Sequence, residues 1–306
     1  AVAITYLACN LGFSAAMLNP FTVGIAQSIA GIQLYSGVEF RTLVWFVSTL
    51  VGCGFVMFYA MKIKKNPELS PMFEHDQVKR EKLKSTESEH TEFTLRHKII
   101  IAALFTSIAL VVYGVLKLEF WIPQIAAVFL GLGIISGLVG KLAPNEIAEA
   151  FTDGAKDMIG AAIMIGLAKS VMIIAQNANI IDTILFNLAN VVGQLPSLIA
   201  SYIMFVIQMF INFFVSSGSG QAALTMPILA PLGDLVGISR QLSVLIYQLG
   251  DGFSNAMFPT SGVLIACLGM AGVPYGKWVK WILPLQAILF MTAIVFITIA
   301  SLIGWA

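Results

Sequence analysis

Charge is the scarcest property of this sequence. Of 306 residues only 11% are Asp, Glu, Lys or Arg, against roughly 25% in soluble globular domains, and 58% are hydrophobic. No soluble surface can be assembled from that composition. Cysteine is rarer still: Cys9, Cys53 and Cys267 stand in apolar context without C-x-x-C spacing, which leaves them as small packing residues, not a disulfide frame or a metal site. The three histidines, His75, His90 and His97, all fall in one polar stretch. The apolar spans therefore hold no imidazole base, and Ser219, between two glycines, lacks the partner that nucleophilic catalysis needs. Paired aspartates at membrane depth, Cys/His metal sets and a glycine-rich phosphate loop are missing too. An enzyme is not expected.

What is abundant is long apolar runs. Ile99 to Leu118 and Trp281 to Leu302 reach the roughly 20 residues that cross a hydrocarbon core as a helix, and a barrel would need short alternating segments instead. The expectation is an all-α polytopic membrane protein. Charges concentrate between Lys62 and Lys98, with nine of the 17 basic and seven of the 16 acidic residues; the interleaving of signs marks a solvated loop and argues against nucleic-acid binding. Ala1 lies inside an apolar segment with no Met, polar lead-in or signal peptide, so the chain is expected to be the later part of a longer protein.

The sequence repeats itself. Gly12-Phe13-Ser14-Ala15-Ala16-Met17 matches Gly252-Phe253-Ser254-Asn255-Ala256-Met257 at an offset of 240, each followed by a proline, Pro20 and Pro259. This divides the chain into residues 1–62, the end of a first repeat with one broken span and one continuous span; 63–97, the charged loop; and 98–306, a second repeat. The second repeat contains scaffold spans (Ile99 to Leu118, Ile122 to Gly140, Met158 to Ala175), a connecting helix from Pro144 to Asp157 and an interfacial stretch from Asn177 to Gln194. A hairpin at about 198–236, a broken helix at about 241–270 interrupted at Gly250-Asp251-Gly252 and at Pro259, and a last span at about 278–304 complete it. Placing the charged loop in the cytoplasm puts Lys141, Lys156, Lys277 and Lys280 on the same side only if the hairpin is re-entrant, and leaves Arg41, Lys117 and Arg240 outside. The repeats are then inverted, the architecture of many secondary transporters.

Non-helical backbone at membrane depth survives only where protein or a water-filled cavity supplies partners. Three clusters have that character: Ser14, Asn19 and Thr22 in the first repeat; Ser216, Ser217, Gly218, Ser219, Gly220 and Gln221 at the hairpin tip; and Asp251, Ser254, Asn255, Pro259, Thr260 and Ser261 in the second broken helix. The amides from Ser219 onward suit a carboxylate, and the side-chain oxygens suit a cation. Asp251, a carboxylate at membrane depth, is the leading functional candidate: proton carrier, seat for a cationic solute, or partner of Na⁺. Its other reading is a tie for neighbouring backbone, as close helix packing is for the Gly/Ser clusters. Lys169 offsets solute charge, pairs with an acid across the bundle or snorkels to an interface, and Asp182 and Asp234 belong near the outer surface. A channel is the rival class, although channels seldom combine re-entrant hairpins with interrupted helices. No cofactor is expected beyond a coupling ion, H⁺ or Na⁺; no metal site is defined, a Na⁺ seat near Ser219 and Asn255 being one alternative.

The segments FINFFVSSGSGQAALTMPILAPLGDLVG, YQLGDGFSNAMFPTSGVLIA and GFSAAMLNPFTVGIAQ resemble the C4-dicarboxylate anaerobic carrier family, part of a wider superfamily of elevator-type ion transporters. The resemblance implies inverted repeats, a moving transport domain, a scaffold that dimerises when the protein is full length, the bacterial inner membrane as location, and a site lined by Ser216 to Gln221, Asp251 to Ser261 and Ser14 to Thr22. The chain departs from the pattern in lacking the first hairpin. Members are assigned four-carbon dicarboxylates or basic amino acids such as arginine and ornithine: the hairpin amides suit either solute's carboxylate, and Asp251 suits the cation. The dicarboxylate class is the reading adopted from the sequence, with a basic amino acid antiporter as the alternative.

Overall fold

The computed structural model describes residues 2–77, 93–118, 120, 122–180, 183, 187 and 190–305. Among them every regular element is helical. They fall into two compact units, one formed by Ala1–Phe73 with Met158–Ala306 and the other by Glu74–Asp157.

The smaller unit holds α4 (Leu95–Lys117), α5 (Ile122–Gly140) and the first half of α6 (Pro144–Asn177). Helix α4 packs on α5. Glycines set the closeness of α5 and α6, because a Cβ at Gly133 or Gly137 would lie 2.5 Å from the Phe151 ring or 2.6 Å from Ile147. Pro144 opens α6 at the one helical position where a missing N–H costs nothing, and the Glu146 carboxylate accepts the Ala143 N–H at 2.6 Å. The expected separation of a connecting helix ending at Asp157 from a span beginning at Met158 is not found. Helix α6 continues for 34 residues, since no proline interrupts the register and its polar and apolar halves share it. Asp182 and six other residues of the expected interfacial stretch lie outside the described residues, as does the Lys169 side chain.

In the larger unit the first broken span is α1 (Ala8–Ser14), entered by a π-helical turn (Ala3–Leu7), and α2 (Ile25–Ala30), entered by a second (Pro20–Gly24). Asn19 sits at the restart, its Oδ1 accepting the Phe21 N–H at 2.9 Å ahead of Pro20. Then follow α3 (Val38–Lys65), α7 (Ser197–Phe214), α8 (Gly218–Leu235), α9 (Arg240–Ser254), α10 (Gly262–Ala271) and α11 (Tyr275–Leu302). Four described helices are long and apolar enough to cross a membrane: Val38–Lys65, Pro123–Gly140, Ser197–Phe214 and Tyr275–Leu302. Their exposed faces carry Phe46, Leu50 and Phe58 on α3 and Leu283, Met291 and Val295 on α11, side chains that lipid solvates and water does not. The protein is an all-α membrane protein.

Helix α9 is the axis of this unit. Every residue from Gln241 to Ala256 is buried, and α7, α8, α1, α11 and α2 pack around it. Gln241, Gln248, Asp251 and Asn255 recur at spacings of seven, three and four, which places them along one stripe of the helix. A buried helix with a polar stripe must direct that stripe at partners inside the protein, and those partners define the site.

Candidate functional site

The expected helix interruption at Gly250-Asp251-Gly252 is not observed. Helix α9 runs through all three residues to Ser254, and neither glycine takes a positive φ. They serve close approach instead: a Cβ on Gly250 would lie 2.5 Å from Gln208 Cβ, and one on Gly252 would lie 2.4 Å from Ser14 Cα. The break comes later, between Asn255 and Ser261. Its carbonyls are held by distant donors, with Tyr6 on Asn255 at 2.7 Å, Trp278 on Ala256 at 2.9 Å, Tyr275 on Met257 at 2.6 Å and Ser216 on Thr260 at 2.6 Å. Pro259 is half-buried in the same loop. The Ser261 hydroxyl meets Tyr6 at 3.3 Å, while the buried Thr260 hydroxyl has no partner.

The hairpin tip is shorter than the sequence suggested. Only Val215 to Ser217 is non-helical, and Gly218, Ser219, Gly220 and Gln221 form the first turn of α8. The N-cap is Ser217, whose Oγ accepts the Gly220 N–H at 3.4 Å. Gln221 turns into the hairpin's own interface and donates to the Gln208 carbonyl and side chain at 2.8 and 2.7 Å. The amides of Gly218 and Ser219 remain without an acceptor in the helix, as first-turn amides do, and the half-buried Ser219 hydroxyl has no hydrogen-bond partner among the described residues.

Three helix ends converge on Gly218. A Cβ there would stand 2.7 Å from Thr22 Cγ2, 2.8 Å from Phe13 Cζ and 3.2 Å from Asp251 Oδ2, so the hairpin tip, the restart of the first broken span and the polar stripe of α9 touch at one residue. Tyr247 locks the junction by donating to the Gly218 carbonyl at 2.5 Å. Asp251 is fully buried, and among the described residues neither carboxylate oxygen has a hydrogen-bond partner within 3.5 Å and no cationic side chain pairs with it, the Asn255 side chain being its neighbouring donor. The Thr22 hydroxyl beside it is likewise buried and unpartnered. Ser14 and Ser254 have spent their hydroxyls on carbonyls one turn back, Asn10 at 2.5 Å and Gly250 at 2.6 Å.

Residues 1–302 match the family model described as the C4-dicarboxylate anaerobic carrier. The chain belongs to that family. Among curated relatives, an Escherichia coli (strain K12) protein provisionally named a basic amino acid antiporter, YfcC, is 40% identical over 99% of this chain and 62% of its own. An uncharacterised Haemophilus influenzae protein is 33% identical over 95% of this chain and 57% of its own. The chain thus spans about three fifths of the length of these relatives. No solved structure matches it.

In this carrier-family chain four polar residues outside the three sequence clusters organise the site. Asn212, fully buried, directs its amide at the Asp251 carbonyl, Ser254 Oγ and Asn255 Oδ1 at 2.9, 2.8 and 3.1 Å, fastening the end of α9 to α7. Tyr6 and Gln248 make reciprocal ties, Tyr6 to the carbonyl of Asn255 in the second break and Gln248 to that of Ala16 in the first at 2.6 Å. Arg41, counted among the outer charges in the sequence, is 1% exposed. Its guanidinium donates to Gln248 Oε1 at 2.6 Å and Gln241 Oε1 at 3.2 Å and lies over the Trp305 ring at 5.3 Å, with no carboxylate among its partners. The signal was available in the sequence: Asn212 and Arg41 are polar residues in otherwise apolar runs.

Proposed function

We propose that the full-length protein is a secondary active transporter of the bacterial inner membrane whose solute carries both a carboxylate and a cationic group, the chemistry of a basic amino acid. The observation that carries this reading is Asp251, a carboxylate buried at the meeting of three helix ends with no cationic side chain paired to it among the described residues. Leaving a carboxylate in that position is expensive unless a proton or a cation meets it. The N-terminus of α8 offsets part of the cost through its dipole. A cationic solute group supplies the rest as charge-assisted hydrogen bonds, while the uncommitted amides of Gly218 and Ser219 face the solute's carboxylate. Similarity to the E. coli protein named for basic amino acids supports the same assignment. In the transport cycle the α7–α8 hairpin acts as a re-entrant gate, and H⁺ or Na⁺ takes the place of the solute's cation on Asp251 during the return step.

The family's description supports a second reading, a four-carbon dicarboxylate held by the same amides with Asp251 neutralised by a proton. Uptake of labelled arginine by proteoliposomes of the full-length protein separates the two. Unlabelled arginine and ornithine should compete and succinate should not. Uptake of labelled succinate with no uptake of labelled arginine would transfer the site to the dicarboxylate reading.

A further inference from the structure

Far along the chain from Asp251, the C-terminal end of α3 and the N-terminal end of α11 enclose a groove of about 410 Å³. Lys62, Lys277 and Lys280 line it, and no acidic residue does. None of the three lysines is ion-paired among the described residues, where the salt bridges are Lys156 with Asp153 and Arg240 with Asp234. Gathering three ammonium groups in one groove is repulsive in itself. For Lys277 the helix adds to the repulsion, because it lies in the first turn of α11, where the macrodipole is already positive. Such an arrangement is stabilised by an anion seated among the amines.

The rest of the lining says which kind of anion. Phe55, Phe58, Tyr59 and Trp281 form the apolar wall, and Phe58 is 66% exposed on the outer face of a helix apolar enough to cross the membrane. The Trp281 indole is held edge-on by Phe55 and Tyr59, each with ring centroids 5.2 Å away, yet its buried N–H has no acceptor. A basic rim above an aromatic wall at the end of a span is amphipathic in the sense of a phospholipid, polar head outward and chains along the hydrocarbon. A small soluble anion would leave the aromatic wall unused. We propose that this groove is a binding site for an anionic phospholipid, its phosphate between Lys62, Lys277 and Lys280 and its acyl chains along Phe55 and Phe58.

The test is lipid binding to the full-length protein in detergent, read by native mass spectrometry with phosphatidylglycerol, phosphatidylcholine or glycerol phosphate added. Phosphatidylglycerol should bind best, weaken with added NaCl as screened charge requires, and weaken about fivefold for each Lys→Gln change in the groove, or roughly a hundredfold for K62Q/K277Q/K280Q. The K64Q/K65Q variant, which alters lysines of the same helix end outside the groove, should bind as wild type does. Equal binding of phosphatidylcholine, equal loss in K64Q/K65Q, or glycerol phosphate binding as tightly as the lipid would each overturn the proposal. Should the triple variant not fold, the salt dependence and the lipid comparison on the wild-type protein decide alone.

Discussion

Two glycines that the repeat makes equivalent, Gly12 and Gly252, should respond oppositely to alanine. Both sit in the motif Gly-Phe-Ser within a helix, at α1 and α9, so helix propensity alone favours each substitution by roughly 0.5–1 kcal/mol. A Cβ on Gly12 meets nothing within 4 Å, and G12A should therefore realise that gain. A Cβ on Gly252 would stand 2.4 Å from Ser14 Cα and 2.7 Å from Ser14 Oγ. Backbone cannot rotate aside as a side chain can, so α1 and α9 must separate by about an ångström, at an overpacking cost of about 1–3 kcal/mol or more. The cost exceeds the gain. The separation also falls one residue from Asp251 and pulls on the Gln248 tie to Ala16. Thermal unfolding of the full-length protein in detergent, followed by solute uptake in proteoliposomes, should show G12A unfolding at or above the wild-type temperature with uptake intact, and G252A unfolding lower with uptake lost. If the two variants shift stability in the same direction by similar amounts, the close crossing of α1 and α9 at Ser14 is not what holds Gly252 in place.

Other substitutions probe the remaining contacts. Asp251→Asn removes the charge and keeps the shape, so it should preserve folding while abolishing uptake driven by the coupling ion; uptake with unchanged pH and Na⁺ dependence would reduce Asp251 to a structural tie. Asn212→Leu takes a donor from the Asp251 carbonyl, Ser254 and Asn255, a loss of about 2–4 kcal/mol for the two amide protons' hydrogen bonds and the desolvated acceptors they leave, which should appear as a large fall in unfolding temperature. Ser217→Ala removes the α8 cap and should cost about 1 kcal/mol of stability, whereas Ser219→Ala, with no hydrogen bond to lose in the free protein, should leave stability unchanged and raise the half-saturating solute concentration about ten- to a hundredfold if its hydroxyl meets the solute. Arg41→Lys keeps the charge but not the fork that reaches Gln248 and Gln241 together, and should destabilise the protein more than a surface change does, by about 1–3 kcal/mol.

What the sequence made legible follows from which physical signals are local. Apolar length is local, so the helical membrane class and the helices at Val38–Lys65 and Tyr275–Leu302 could be placed to within a few residues. Broken helices are local too when a proline or a run of small polar residues marks them, as at Asn19-Pro20 and near Pro259. Gly250 and Gly252 misled because a glycine signals either freedom of backbone or absence of a Cβ, and only the neighbours, Gln208 and Ser14, tell which. The start of α8 at a Ser217 cap, two residues ahead of the Ser219 amides singled out in the sequence, reflects the same ambiguity within a run of Ser and Gly, resolved only by the φ of −143° that takes Ser217 out of the helix. Asn212, Tyr6 and Gln248 were illegible in function because their partners lie 39 to 249 residues away, and no periodicity records a contact of that range. Their common effect gives the arrangement its sense. Each ties backbone at a break or at the end of α9, so that donors and carbonyls which membrane depth would otherwise leave unsatisfied are met from within the protein. Among the buried side-chain atoms around Gly218, those left over are the Asp251 carboxylate and the Thr22 hydroxyl; beside the free first-turn amides of Gly218 and Ser219, they are the groups that the proposed solute or its coupling ion would meet.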